Sequence, residues 1–359
     1  MRFEFLSSTP PSPTEGSGTW VAIDGVLRGL QRLGHTAHLR PITARSGFHT
    51  LDRWRYNRTL LANPPAADVV IGVDLDGYRW ARRRPPHVRY AVMLKGIIAD
   101  ELRNERGLVR ALLTIQARWE RLNVHRAQRV IVPSRYSADV AHEVYAVARD
   151  RIAVVPEPID LSEWQRRFAA APRRDVGSPT VLAVARMYPR KRLEDLLDAA
   201  VTLVSRIPEV RVRIVGEGPE SVRLRALATR LGLAGVVTFL GEISRSALAV
   251  EYVGADCFCL PTIQEGFGLV FAEAMAAGLP IVACRAAAVP ELVEDGRTGL
   301  LVSPKNAEEL AKAMETVLTN RTLRAELGAT GRQRVETLDL DRVAARLLDA
   351  LPAPQGHGV

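Results

Sequence analysis

One feature limits what this chain can fold into more than any other: short apolar runs alternate with amphipathic helical stretches almost from end to end. FEFLS (3–7) comes first, then a glycine-containing loop, then WVAIDGVLRGLQRLG (20–34), where Gly34 has the place of a helix C-terminal glycine. DVVIGV (68–73), VRYAVML (88–94), QRVIVP (128–133) and RIAVVP (151–156) read as further strands. Between them, RALLTIQARWERLNVHRA and YSADVAHEVYAV read as helices, with Ser134 and Ser137 as candidate caps for the second. The alternation lapses at SEWQRRFAAAPRRDVGS (162–178), which is polar and reads as a domain boundary. It then restarts with PTVLAVAR and continues through VRVRIVG, VVTFLG, DCFCLP, LPIVAC and TGLLVS, each separated from the next by a helix or turn.

Serial strand–helix units predict parallel sheets covered by helices on both faces. With 359 residues the chain is too long for one ordinary core. The expected fold is therefore α/β, with two doubly wound, Rossmann-like domains facing a central cleft. Ligands of such sheets bind beyond the carboxyl ends of the strands. Residues 1–170 form the first expected domain and 171–339 the second, with a last helix near 340–352 packing back on the first.

Composition excludes several classes. No run approaches the roughly 18 unbroken apolar residues of a membrane helix. MRFEFLSSTPPSP reads as a first strand and loop, not a signal peptide. Cys257, Cys259 and Cys284 make no CxxC pair and read as small core residues. These points predict a cytoplasmic protein. The net charge of +9 favours acidic partners such as nucleotides, phosphosugars or anionic lipid. RWARRRPPHVR (79–89) is the densest basic run: either a solvated loop or a patch for a membrane surface or acidic acceptor. Nothing resembles a nucleic-acid-binding motif, so no nucleic-acid partner is expected.

Chemistry concentrates in IQEGFGLVFAEAM (263–275), where a strand gives way to a helix starting near Gly268. The first amides of a helix lack internal partners and favour an anion, with phosphate the natural ligand. Glu265 lies before the helix and Glu273 more than a turn inside it. Two carboxylates so placed can reach the sugar hydroxyls at opposite ends of an extended ligand, with its phosphates between them. A nucleotide sugar has that order. A second strand end, ARMYPRKRLEDLL (185–197), offers Arg186 and Lys191, cations suited to a diphosphate.

These residues resemble the retaining glycosyltransferases of family 4, which have the GT-B fold. The resemblance rests on Glu265-GFGLVFA-Glu273, AMAAGLPIVA, DGRTGLLV, IVGEGPE and, in the first half, VIVPSRYSADVA and VPEPID. It implies that Glu265 holds donor hydroxyls and that the amides of Phe267, Gly268 and Leu269 line the sugar and phosphates. Glu273 would bind the ribose, Arg186 and Lys191 the diphosphate, and Ile243 the base. The EGSGTW loop would bring Gly16 and Gly18 towards the phosphates. The chain departs from the family where a histidine is usual: Lys95 stands there. Lys95 could meet a donor hydroxyl, a phosphate or an anionic acceptor, or be an exposed loop residue. The family's VPNGID becomes VPEPID, with Glu157 and Pro158.

The implied activity is metal-independent, retaining transfer of a hexose from a UDP- or GDP-sugar to a hydroxyl acceptor: a glycan, a lipid-linked or a small molecule. No cofactor or metal is expected, and DLD at 74–76 reads as a strand-end loop in the first domain. Peripheral membrane contact is compatible with the basic surface. The alternatives are a non-catalytic nucleotide-sugar scaffold, or an epimerase or phosphorylase of the same fold. A dinucleotide oxidoreductase fits poorly, because Val21 stands where the third fingerprint glycine belongs.

Overall fold

The structure, a computed structural model, describes residues 1–12, 17–172 and 177–352. The chain divides into two compact units, Met1–Pro158 with Leu338–Val359, and Ile159–Thr337.

The first unit carries strands β1 (Arg2–Ser7), β2 (Thr36–Pro41), β3 (Val69–Val73), β4 (Arg89–Met93), β5 (Arg129–Val132) and β6 (Ile152–Val154). They form one parallel sheet in the order β2-β1-β3-β4-β5-β6. Its helices are α1 (Ser17–Arg32), α2 (His49–Ala62), α3 (Ile98–Glu101), α4 (Gly107–Arg126) and α5 (Arg135–Tyr145). The inner strands β3, β4 and β5 are apolar on both faces because both are covered. Val70, Tyr90 and Val92 join one buried cluster, while Val69, Ile71, Ala91 and Met93 join the other. Ser134 caps α5 by accepting from the Ser137 amide at 3.0 Å, so of the two candidate serines only the first is the cap.

The second unit opens with α6 (Leu161–Ala170) and carries β7 (Thr180–Val184), β8 (Arg211–Val215), β9 (Val237–Gly241), β10 (Cys257–Leu260), β11 (Ile281–Cys284) and β12 (Gly299–Val302). Their order is β12-β11-β10-β7-β8-β9, again all parallel. This is the strand order of dinucleotide-binding sheets, and its direction reverses between β7 and β10. Helices α7 (Leu193–Arg206), α8 (Ser221–Arg230), α9 (Arg245–Val253), α10 (Leu269–Ala277), α11 (Val289–Leu292), α12 (Ala307–Thr319) and α13 (Arg321–Val335) complete it. The three cysteines are free and buried.

The polar stretch read as a boundary is instead largely α6. Asp160 caps it, accepting from the Glu163 amide at 2.9 Å, and Trp164 is buried edge-on to Tyr252. This anchoring gives α6 to the second unit, so the division falls at Pro158/Ile159 rather than at 170.

The last helix, α14 (Leu340–Ala350), packs on α1 in the first unit. Close approach depends on Gly29, where a Cβ would lie 2.5 Å from the Leu340 carbonyl oxygen. The 79–89 run is only partly solvated. Trp80 is buried against Tyr90, the Arg79 guanidinium lies 5.3 Å from the Trp54 ring, and Arg84 donates to the Val88 carbonyl. Arg82 and Arg83 are its exposed arginines. Among the described residues no helix is long and apolar enough to cross a membrane.

Candidate functional site

The reversal between β7 and β10 leaves a crevice at the carboxyl edge of the second sheet, and both sequence motifs leave from it. The loop after β7 carries Arg186 and Lys191; the loop after β10 carries Glu265 to Gly268 and runs into α10. The two loops are tied together, since the Ile263 amide donates to the Arg190 carbonyl at 3.0 Å and Thr262 Oγ1 to the same oxygen at 3.3 Å.

Across this tie Lys191 Nζ forms an ion pair with Glu265 Oε1, and both side chains are about nine-tenths buried. The crevice thus holds a lysine and a carboxylate that neutralise each other. Arg186 is exposed, its guanidinium 5.9 Å from the Tyr188 ring.

Gly268 is the residue before α10, with φ +92°. That left-handed conformation favours glycine, and a Cβ there would lie 2.6 Å from the Phe271 ring. No side-chain oxygen caps α10. Its first amides, from Leu269 onward, therefore suit an anion. Phe267 and Leu269 flank the glycine and are half-buried.

Glu273 points elsewhere. It lies on α10, nearly buried, and accepts a hydrogen bond from Tyr252 Oη of α9 at 3.0 Å. Burial pushes its carboxyl up to about 7, opposed by the Arg245 charge and the Tyr252 hydrogen bond. Tyr252 sits among Trp164, Phe168 and Phe258, which fix its ring. The two glutamates thus have separate partners, Lys191 for one and Tyr252 for the other. The β9–α9 loop supplies half-buried Ile243, just before the cap of α9, where Ser244 accepts from Ala247. Tyr252 and Arg245 were not singled out from the sequence. A tyrosine at one helix end and a glutamate 21 residues later carry no local signal of contact.

In the first unit, the loops after β1, β3, β4 and β6 gather a buried polar network. Asp76 accepts from the Ser8 amide at 2.6 Å, Ser8 Oγ at 2.7 Å and Asn57 at 3.0 Å. Asp74 accepts from the Lys95 amide at 2.8 Å, and burial pushes it up to about 6. The DLD carboxylates are thus spent on holding strand-end loops. Lys95 is not an exposed loop residue: its Nζ lies 2.6 Å from Glu157 Oε2, with side-chain exposures of 5% and 8%. Its charge is held by a carboxylate that the sequence placed 62 residues away. Gly18 lies in the first turn of α1, exposed, with open space at its Cβ position; Gly16 lies outside the described residues.

Two parallel sheets of these orders, with their flanking helices, form the GT-B fold. Solved structures with this fold align along nearly the whole chain. Sucrose-phosphate synthase from Thermosynechococcus elongatus matches with a TM-score of 0.78 at 20% identity, covering 97% of each chain. Anabaena Alr3699/HepE, in complex with UDP and glucose, matches with a TM-score of 0.72 at 20% identity over 97% of this chain and 98% of that one. The family model "Glycosyl transferases group 1" matches residues 165–334. A D-inositol 3-phosphate glycosyltransferase from Pseudarthrobacter chlorophenolicus is 30% identical over 305 residues, 76% of this chain and 73% of the relative. The chain belongs to the group 1 glycosyl transferases.

A GDP-mannose-dependent alpha-(1-6)-phosphatidylinositol monomannoside mannosyltransferase from Mycobacterium tuberculosis is 34% identical over 204 residues, 55% of this chain and 52% of the relative. The chain spans about half the length of the first curated relatives it matches.

Proposed function

We propose that the protein is a retaining, metal-independent glycosyltransferase that moves a hexose from a UDP- or GDP-sugar to a hydroxyl acceptor. The observation that carries this reading is the Lys191–Glu265 pair at the β7/β10 crevice, next to the uncapped start of α10. Belonging to the group 1 glycosyl transferases supports it. So do the names of relatives that use GDP-mannose and of a neighbour bound to UDP and glucose.

In this reading the diphosphate lies on the first amides of α10, beside Lys191 and Arg186. The bond between the anomeric carbon and the leaving phosphate oxygen breaks, and negative charge grows on the diphosphate. Fixed dipoles and cations aimed at that charge stabilise the transition state more than the ground state. The acceptor oxygen bonds to the anomeric carbon from the face the phosphate leaves, and the departing phosphate oxygen takes the acceptor proton. Glu265, released in part from Lys191 as the lysine turns to phosphate, accepts from donor hydroxyls. The amides of Phe267, Gly268 and Leu269 face the sugar and phosphates. Glu273 accepts from the ribose hydroxyls and Ile243 meets the base. In the first domain, Lys95 serves the acceptor. The free, buried cysteines fit a cytoplasmic setting.

The test is thermal shift of the purified protein with UDP, GDP, ADP and TDP, each with EDTA and with magnesium, beside Glu273→Ala. A ligand that binds only the folded state adds about 2.7 kcal/mol at a hundredfold excess over its Kd. The expected result is a shift for UDP or GDP that survives EDTA and is lost in the variant. No shift with any nucleotide, from a folded protein, refutes the donor site.

A further inference from the structure

Near the end of α9, Tyr252 is fully buried, and its ring is boxed in by three others. Trp164 and Phe168 of α6 and Phe258 of β10 lie at centroid distances of 5.6, 6.3 and 6.2 Å. Phe258 in turn meets Phe271 of α10 edge-on at 5.7 Å. Phe271 is the ring that a Cβ at Gly268 would strike. Packed rings thus run from α6 to the glycine turn that opens α10, and such close packing holds an aromatic side chain in one rotamer.

The hydroxyl on this ring meets α10 twice. It donates to Glu273 Oε2 at 3.0 Å and lies 3.5 Å from the Val270 carbonyl oxygen. Burial, and after it the Glu273 charge, push the hydroxyl well above its ordinary titration range, so it keeps its proton and stays a donor. A carboxylate has two acceptor oxygens. Tyr252 takes Oε2, and Oε1 takes no hydrogen bond among the described residues. Arg245, half-buried with its guanidinium 5.7 Å from the Trp164 ring, favours the ionised form of Glu273.

We propose that Tyr252 is a positioning residue of the nucleotide site: it holds Glu273 by Oε2 and leaves Oε1 as the acceptor for ribose hydroxyls, so that the site selects a nucleotide with an intact ribose. The inference rests on the reading of Glu273 as the ribose acceptor given above. A carboxylate fixed by one oxygen presents the other at one place and loses little freedom when the ligand arrives. Selection follows from burial. A nucleotide without ribose hydroxyls would cover Oε1 and leave it unpaired, and a site built around a buried polar group rejects an analogue that cannot pair with it.

The test is isothermal titration of the full chain with UDP, GDP and their 2′,3′-dideoxy forms. The proteins are the parent, Tyr252→Phe, Glu273→Gln and the double variant. Tyr252→Phe keeps the ring in its box and removes the hydroxyl alone; circular dichroism checks that the fold is kept. The parent should bind UDP or GDP more tightly than the dideoxy form by on the order of ten- to a hundredfold, as a hydrogen bond to a charged group predicts. Tyr252→Phe should weaken the intact nucleotide about tenfold and leave the dideoxy form nearly unaffected. Added to Glu273→Gln it should change little more, because it acts through that carboxylate. Equal losses for the intact and dideoxy nucleotides in Tyr252→Phe would mean that the hydroxyl only holds the helices together. Losses that add in the double variant would mean that it does not act through Glu273. Either result overturns the proposal while the donor site stands. A parent that does not distinguish the two forms overturns it whatever the variants do. Binding of none of the nucleotides refutes the donor reading itself, and the proposal with it.

Discussion

Replacing Glu273 with glutamine should make the protein more stable above neutral pH and poorer at holding a nucleotide. Burial raises this carboxyl from the ordinary value of 4.5 to about 7 in the folded chain. Between those values the native state holds a proton that the unfolded state has released. Stability therefore falls as pH rises through this window, by about 1.4 kcal/mol per pH unit, and levels off above about pH 7. The accumulated cost is on the order of 3 kcal/mol. Glutamine keeps an oxygen for Tyr252 Oη and carries no charge to bury. The variant should match the parent near pH 4.5 and exceed it at pH 8, by about 6–12 °C in Tm for a unit of this size. Nucleotide binding should move the other way. If Glu273 accepts from ribose hydroxyls as a carboxylate, the parent's affinity rises up to about tenfold between pH 6 and pH 8, in proportion to the ionised fraction. The variant should bind weakly at both. The assay is a grid of melts at four pH values, with and without nucleotide. A stability difference that does not change with pH would refute the argument from burial. Unchanged nucleotide affinity in the variant would remove Glu273 from the site.

Other perturbations have equally definite outcomes. Glu157→Leu leaves Lys95 buried without its partner and should cost about 3–5 kcal/mol in urea unfolding, whereas Lys95→Met/Glu157→Leu together should recover most of that loss. A double variant as unstable as the single one would show that the pair is not coupled. Lys191→Met should lower kcat by about 10²–10³ with folding kept, since it removes charge from the leaving phosphate; a change in KM alone would place Lys191 in uniform binding instead. Gly29→Ala puts a methyl 2.5 Å from the Leu340 carbonyl oxygen, and the displacement of α14 should cost about 1–3 kcal/mol in thermal melts.

Most of both sheets was legible, because parallel strands buried on both faces read as unbroken apolar runs; the half-exposed edge strand β2, TAHLRP, and the helix α2 after it were not named from the sequence. The boundary was not legible. Leu161–Ala170 is polar enough to read as a linker, and its helicity rests on Asp160 capping its start and on Trp164 finding Tyr252. The glutamate spacing around Gly268 marked the site, because a left-handed residue before a helix must be read from a glycine. The partners of those glutamates were hidden. Lys191 and Tyr252 reach them only after β7, β10 and α9 are assembled.

Lys95 and Glu157 show most sharply why separate positions mislead. Read along the chain they are two unrelated departures, a lysine where the resemblance expects histidine and a glutamate where it expects asparagine. In the folded first unit they are one feature, a buried ion pair at the ends of β4 and β6. Either change alone would strand a charge away from water, at a cost no surface substitution carries. The two must therefore be kept or lost together. Pro158, the third departure, is accommodated in the same way: its ring fills the space that a side chain at Gly25 would occupy, with Cγ 2.8 Å from that Cβ position. The carboxyl edge of the first sheet is thus a locally rebuilt region whose parts compensate one another. A cation masked by its own carboxylate can meet an anionic group only by exchanging partners. An anionic acceptor should then bind more tightly to Glu157→Gln than to the parent, provided the variant folds, while a neutral acceptor should not distinguish them. Competition by a phosphorylated and an unphosphorylated polyol, measured on both proteins, decides the point: equal effects on the two would mean that Lys95 only holds the loops together.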